Sequence, residues 1–177
     1  MADPLAFLSA PSTAGMPVRG TSLTVDSDTT LQPGIYEDGI TVSENASVTL
    51  VPGTYVLQGG GLTVEDESSV QVQEVVVAFG PGSTGCGGLK VAGGSTLSLS
   101  APAPASANPY GGVAVYMNRV CASIGVRVTG VSSSATLRGV LYAPKGELSL
   151  NGAASMTVGA VVADTITLNQ GATLKTE

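Results

Sequence analysis

The stretch "LQPGIYEDGITV", residues 31–42, decides the fold because it recurs as "LVPGTYVLQGGGLTV", residues 50–64. Both copies read Leu-x-Pro-Gly-x-Tyr and close with an apolar-Thr-Val triplet, and they begin at Leu31 and Leu50, 19 positions apart. Repeats of about twenty residues are typical of stacked units, because one such unit cannot bury its apolar face alone. The repetition therefore predicts a solenoid.

Similar triplets continue along the chain, each with two outer apolar residues around a polar one. This two-residue period indicates a strand with one buried face. The triplets are Leu23-Thr24-Val25, Ile40-Thr41-Val42, Leu62-Thr63-Val64, Leu89-Lys90-Val91, Val126-Arg127-Val128, Leu148-Ser149-Leu150 and Ile166-Thr167-Leu168. A second strand is predicted six residues after most triplets, at Leu31, Val48, Val70, Leu97, Met156 and Leu174, with a longer corner in "GVSSSATL". A third, more apolar strand is predicted in "GTYVL", "VVVAF", "GVAVY", "GVLYA" and "GAVVA".

The triplets begin 17, 22, 27, 37, 22 and 18 residues apart, so the shortest unit has about 18 residues. This spacing predicts an all-β protein, a right-handed parallel β-helix (solenoid) of six to seven three-stranded coils over residues 19–177, with a long loop at 100–112. Residues 1–18 form an N-terminal extension or cap, in which residues 4–9 make one turn over the first coil. A β-sandwich is the alternative, but its strands are longer and its hairpin turns more regular.

The corners into the third strand contain Pro33-Gly34 and Pro52-Gly53. Proline fixes φ at the first turn position and glycine accepts a positive φ at the next, so the sequence predicts a type II turn at each corner.

Composition limits the chemistry. The 177 residues include no His, and the net charge is −6. Without His there is no Ser-His-Asp or Cys-His pair and no zinc site of the usual kind. The negative charge disfavours nucleic acid and anionic membranes as partners. No apolar run approaches the roughly 18–20 residues of a membrane span, so membrane insertion of this fragment is not expected.

Six acidic residues are predicted to meet at one corner of three successive coils. They are Asp26, Asp28, Glu44, Glu65, Asp66 and Glu67. Stacked carboxylates repel one another unless they reach water or share a hard cation such as Ca²⁺. The sequence favours a solvated acidic edge, with a Ca²⁺ site as the alternative. Carbohydrate cleavage by a carboxylate pair is least favoured, because basic residues are absent from those coils.

The two cysteines, Cys86 and Cys121, lie in the predicted loops "STGCGGL" and "NRVCASIG", which flank the same long coil. In an oxidising compartment they are expected to pair, whereas in the cytosol they would be two free thiols.

Several ordered motifs resemble a known family. They are "DPLAFLSAPS", "PGIY", "PGTY", "GGGLTV", "LSLSAP", "GVLYAPKGELSLNG" and "VVADTITLNQGATL". Together, from Asp3 to Leu174, they resemble the C-terminal β-solenoid domain of secreted proteins of the tight-adherence (Tad/Flp) pilus system, the TadG/TadE-like proteins. The resemblance implies an extracytoplasmic, cell-envelope location, a piece of a longer membrane-anchored protein, and a Cys86–Cys121 disulfide. It supplies no catalytic residue, and Met117-Asn118-Arg119 departs from the more acidic ending expected there.

The expected function is therefore that of a structural or adhesive module without enzymatic activity. Its partners would be other pilus or envelope proteins or extracellular polysaccharide, and self-association is possible in principle. Three alternatives remain: an ice-binding adhesion-type solenoid, an end-to-end polymer-forming β-helix, and a carbohydrate-binding or carbohydrate-cleaving β-helix.

Ice binding requires a flat array of short outward side chains, and two outward columns are predicted. The first comprises Thr24, Thr41, Thr63, Lys90, Arg127, Ser149 and Thr167. The second comprises Gln32, Thr49, Gln71, Ser98, Arg138, Thr157 and Lys175. Long charged side chains interrupt both columns, which disfavours ice binding.

Overall fold

The computed structural model describes residues 3–104, 108–122 and 124–177, and within them the protein is all-β with no helix. One large sheet contains sixteen strands. The strands are β1 (Val18–Val25), β2 (Thr29–Leu31), β3 (Gly34–Val42), β4 (Ser47–Leu50), β5 (Gly53–Gln58), β6 (Leu62–Val64), β7 (Ser69–Val72), β8 (Val75–Gly82), β9 (Gly85–Cys86), β10 (Leu89–Val91), β11 (Thr96–Ser100), β12 (Val113–Met117), β13 (Val126–Thr129), β14 (Ser134–Asn151), β15 (Ser155–Leu168) and β16 (Thr173–Thr176).

The strands pair in three rows, and the neighbours in each row follow one another in chain order. The first row contains all seven predicted triplets, each paired in parallel with the next. The second row contains β2, β4, β7, β11, residues 134–138, residues 155–158 and β16. The third row contains the start of β1, the start of β3, β5, β8, β12, residues 140–143 and residues 160–163. The predicted parallel, all-β arrangement is thus confirmed, and among the described residues only the short pairing of β8 with β9 is antiparallel.

The start of the second row differs from the prediction. Thr29, not Leu31, pairs with Val48, so Thr30 rather than Gln32 takes the first place in the outward column. Only residues 26–28 separate the first triplet from β2, and this corner is shorter than the later ones. The assumption of a constant six-residue spacing was wrong here.

The second correction concerns Arg138. Thr136 pairs with Ser98, whereas Arg138 lies two residues further along the strand and pairs with Ser100. The "GVSSSATL" corner therefore adds fewer residues than the sequence suggested, and the charged side chain leaves the predicted column.

One apolar core receives side chains from all three rows. Its members include Ile40 of the first row, Val48 of the second and Tyr55 of the third, all of them buried. Alternate residues of the first two rows point into this core, as the two-residue period predicted. Burial of small aliphatic side chains thus holds the rows together.

The corners into the third row do not have type II geometry. Gly34 and Gly53 have φ values of 154° and 148°, far from the value of about +80° that a type II turn requires. Both glycines instead begin strands β3 and β5. A Cβ on Gly53 would lie 2.5 Å from Cγ of Pro33 in the preceding repeat, so close stacking of the two corners requires glycine.

Hydrogen bonds of the motif tyrosines explain why Leu-x-Pro-Gly-x-Tyr is repeated. The buried Tyr36 hydroxyl donates to the carbonyl of Gln32, 2.7 Å away. The Tyr55 hydroxyl lies 2.9 Å from the Val51 carbonyl oxygen and 2.8 Å from that of Leu31, and its single hydrogen is shared between the two acceptors. In each copy the tyrosine therefore bonds the carbonyl that precedes the proline and closes its own corner. The two rings also stack with their centroids 5.9 Å apart.

We expect Tyr55→Phe to lower the free energy of unfolding by about 1–2 kcal/mol, because the Val51 and Leu31 carbonyls lose a shared buried donor. Tyr36→Phe is the matched control, since that hydroxyl serves only one carbonyl, and its effect should be smaller. Chemical denaturation measures both. Equal effects would show that the second hydrogen bond of Tyr55 contributes nothing.

The third row is apolar on its outer face as well. Val56, Val76 and Tyr116 face outward and are nevertheless buried, in a cluster that also contains Leu8 of the N-terminal segment. The turn expected over residues 4–9 therefore lies against the third row and does not cap the first strands.

The long loop at 100–112 is partly described, and residues 105–107 lie outside the described part. Gly112 N–H donates to the Pro102 carbonyl at 2.8 Å, which closes the loop at its base. Tyr110 is buried and packs edge-on against Tyr116. This side of the loop therefore packs on the sheet rather than projecting away from it.

Candidate functional site

Five of the seven turns between the first and second rows share one geometry. Each has two adjacent residues with positive φ, for example Glu44 (56°) with Asn45 (61°) and Asp66 (57°) with Glu67 (58°). The corner at residues 26–28 has no such residue, and the corner after Val128 has Gly130 and Ser132, which are not adjacent. The residue after the last positive-φ residue is small and buried, and the set is Ala46, Ser68, Ser95, Ser133 and Ala154. Consecutive turns are hydrogen-bonded, as from Asn45 N–H to the Asp66 carbonyl at 3.0 Å. A small side chain is needed because the turns stack closely here.

The acidic residues predicted as a possible cation edge lie at these turns. Asp28 accepts a hydrogen bond from Ser47 N–H at 2.9 Å, and Glu65 pairs with Lys90 at 2.9 Å. Asp26, Glu44, Asp66 and Glu67 are exposed. Among the described residues, no three carboxylates converge in a way that could hold a metal ion. Chemically, the edge is a solvated acidic border beside the second row.

The outer face of the second row presents two columns of short polar side chains. The first column contains only hydroxyl residues: Ser47, Ser69, Thr96, Ser134, Ser155 and Thr173. The second contains Thr30, Thr49, Gln71, Ser98, Thr136, Thr157 and Lys175. Sequence reasoning missed the first column and misplaced two members of the second.

The spacing of this face follows from the sheet. Neighbouring strands lie about 4.8 Å apart and residues i and i+2 about 6.6 Å apart, so the hydroxyl groups form a two-dimensional grid. Ser69 Oγ donates to Ser47 Oγ at 3.3 Å within one column. Two shallow depressions lie on the grid, one of about 460 Å³ lined by Asp28, Ser47 and Thr49 among others, and one of about 370 Å³ beside Gln71. Within the two columns the charged residue is Lys175, at one end. Asp28 lies beside Ser47 at the other end, and Arg138 lies two residues beyond Thr136.

The outer face of the first row differs in charge. Lys90 and Arg127 are exposed and occupy adjacent positions in its column. Lys90 is paired with Glu65 across the neighbouring strand. Lys90 and Arg127 thus interrupt the threonine column of the first row, as the sequence predicted. The outer face of the first row is therefore less regular than that of the second row.

The cysteines are joined by a disulfide, which is the pairing that the resemblance favours. Cys86 lies in β9, a short hairpin partner that follows β8, and Cys121 lies just after β12. Because β8 and β12 are neighbours in the third row, the bond ties together the loops that leave them on the same side.

A charged cluster that sequence reasoning missed holds the N-terminal segment to the third row. Arg119 Nε lies 3.2 Å from Asp3 Oδ2, and its guanidinium carbon lies 5.3 Å from the Tyr142 ring centroid. The Tyr142 hydroxyl also donates to Asp3, and this bond lowers the pKa of the Asp3 carboxyl. Burial, followed by the bond to Asp3, raises the pKa of Tyr142 to about 12. The only signal in the sequence was an isolated arginine directly after an apolar strand.

No helix in the described part of the chain is long and apolar enough to cross a membrane. Comparison of the chain with protein-family models, curated proteins and solved structures finds no match.

Proposed function

We propose that the protein is a non-enzymatic structural or adhesive module that contacts an extended polysaccharide through the outer face of the second row. The observation that carries this proposal is the grid of hydroxyl side chains on that face. A rigid row of donors and acceptors at a constant spacing suits a polymer whose own hydroxyl groups recur at a constant spacing.

The architecture that we infer is a right-handed parallel β-helix of seven turns. Three rows in chain order around one core support it, and parallel crossover connections are right-handed in nearly all known cases. Such a solenoid is stiff along its axis, so that its outer columns remain aligned over the whole length.

The proposed location is extracytoplasmic, on the envelope of a cell or in a secreted, pilus-associated protein. The disulfide supports this location, because such bonds persist in oxidising compartments. The motif resemblance to the Tad/Flp-associated domains points the same way, with other pilus or envelope proteins as further partners.

The binding face is tested by placing charge on it. We expect the double variant Thr49→Lys/Ser98→Lys to lose at least tenfold in binding to the insoluble polysaccharide that the unaltered protein retains best, in a depletion assay with cellulose, chitin and peptidoglycan. The two positions lie two strands apart in the second row, so the added lysines do not adjoin each other.

The matched control is Thr24→Lys/Thr63→Lys, at the same spacing on the first row. It should bind within about twofold of the unaltered protein. Equal losses in the two double variants would refute the assignment of the face. Release of reducing sugar during the assay would refute the non-enzymatic function.

Ice adsorption is a second candidate for the same face. The observation that favours it is the register of Thr136, which removes Arg138 from the column that had been expected to contain it. Inhibition of ice recrystallisation by the unaltered protein, abolished in Thr49→Lys/Ser98→Lys and kept in the control, would select ice over polysaccharide. Absence of any effect on ice would eliminate this candidate.

A further inference from the structure

The outer face of the third row forms a groove that the protein fills with its own N-terminal segment. Leu8 belongs to one buried cluster with Val56, Val76, Tyr116 and Tyr142, and Leu5 packs against that cluster. Leu8 is only 7% exposed, whereas its neighbour Phe7 is 79% exposed. One face of the segment is therefore buried in the groove and the other faces solvent.

Main-chain contacts fix the segment in the groove. Arg119 donates to the carbonyls of Leu8, at 2.9 Å, and Leu5. Tyr110 donates to the carbonyl of Ser9 at 2.6 Å. With the Asp3 carboxylate bound by Arg119 and Tyr142, this is the chemistry of a peptide-binding site. It selects a carboxylate followed by leucines two and five residues later.

The groove residues are remote in sequence from the segment they bind. The hydrogen bonds from Arg119 and Tyr110 cross separations of 101 to 116 residues. None of these contacts depends on how the segment is joined to β1, so the same segment of another chain could make all of them.

The first part of the connector between segment and sheet, residues 10–15, is mostly exposed. Residues 10–17 include two prolines and a glycine, Gly15, with a φ of 78° and no atom within 4 Å of the place where its Cβ would lie. Ala10, Pro11 and Thr13 line a pocket of about 210 Å³ together with Val56 of the sheet. Residues 10–15 therefore form the hinge, whereas Met16 packs against the groove cluster and the Pro17 carbonyl accepts a hydrogen bond from Ile35 N–H at 2.9 Å.

We propose that this groove is a docking site for residues 3–9 of a second copy of the protein, so that two copies can associate by exchanging their N-terminal segments. The proposal goes beyond the polysaccharide-binding function and uses a different face. Exchange of identical segments adds no new interface chemistry, which makes it a low-cost route to dimers.

The decisive experiment shortens the hinge. Deletion of residues 10–15 leaves only Met16 and Pro17 between Ser9 and Val18, three Cα steps that span about 11 Å at most. The groove at β12 is four strands from β1 in the third row, a distance of about 19 Å. The segment of the shortened chain cannot reach its own groove, so we expect the variant to sediment as a dimer or a larger closed assembly at micromolar concentration.

Two companion variants complete the test. Replacement of residues 10–15 by six Gly and Ser residues keeps the reach of the hinge and should leave the protein monomeric at the same concentration. Adding Arg119→Ala to the deletion should return it to monomers, with circular dichroism used to verify that the sheet is intact. A monomeric deletion variant, or an assembly that survives Arg119→Ala, would overturn the proposal.

Discussion

Replacement of both Cys86 and Cys121 by serine is expected to lower the free energy of unfolding by about 4 kcal/mol. The disulfide closes a loop of 35 residues, and the loop-entropy model assigns about this stabilisation to a loop of that size. The loop includes the first-row strand β10, the second-row strand β11 and the long 100–112 connection. This repeat is the longest, so the disulfide removes the most conformational entropy from the unfolded chain here.

Guanidinium denaturation of the double variant and of the unaltered protein measures the difference. The unaltered protein treated with a reductant should match the double variant, because both lack the covalent closure. A midpoint that is unchanged by both treatments would contradict the prediction and would mean that the disulfide contributes no net stability to the folded state.

Gly125→Ala is expected to lower the free energy of unfolding by about 3 kcal/mol, the upper part of the range for overpacked sites. A Cβ at this position would lie 1.7 Å from the Glu147 carbonyl oxygen, which is main chain and cannot turn away. The Gly125 carbonyl also accepts the hydrogen bond of Leu89 N–H at 3.1 Å, so displacing the glycine disturbs the first row on both sides.

Gly80→Ala is the matched control, because no atom lies within 4 Å of its added Cβ and its φ is not in the left-handed region. Thermal and chemical denaturation should show little change for this variant. Comparable losses in the free energy of unfolding at the two positions would mean that alanine destabilises the fold for a reason other than the close approach of Gly125 to the Glu147 main chain.

The first row and the composition of the core could be predicted from the sequence. Each triplet is a local pattern with a two-residue period, and the pairing of Leu62 with Leu89 or Val126 with Leu148 follows from matching such patterns. The hydrophobic effect acts on every triplet alike, so a local pattern was sufficient. The cysteines were also visible as two loop residues on either side of one repeat.

The second-row register could not be predicted, because it depends on how many residues each corner absorbs. The corner at residues 26–28 and the one before Ser134 have different lengths, and no residue pattern within them predicts how many residues each contains. In the folded chain Thr29 pairs with Val48 and Ala135 pairs with Leu97, and this register places Thr136 on the hydroxyl face.

The sequence by itself determined that the chain forms short parallel strands with one shared aliphatic core, because the alternation of polar and apolar residues is a local property. Only the tertiary structure decided where residues 3–9 lie and which hydroxyl groups share a face. Asp3 meets Arg119 across 116 residues, and that contact exists because the third row is apolar on its outer face and must be covered. Such contacts depend on which surfaces remain exposed after the rows have stacked, and no local pattern contains that information.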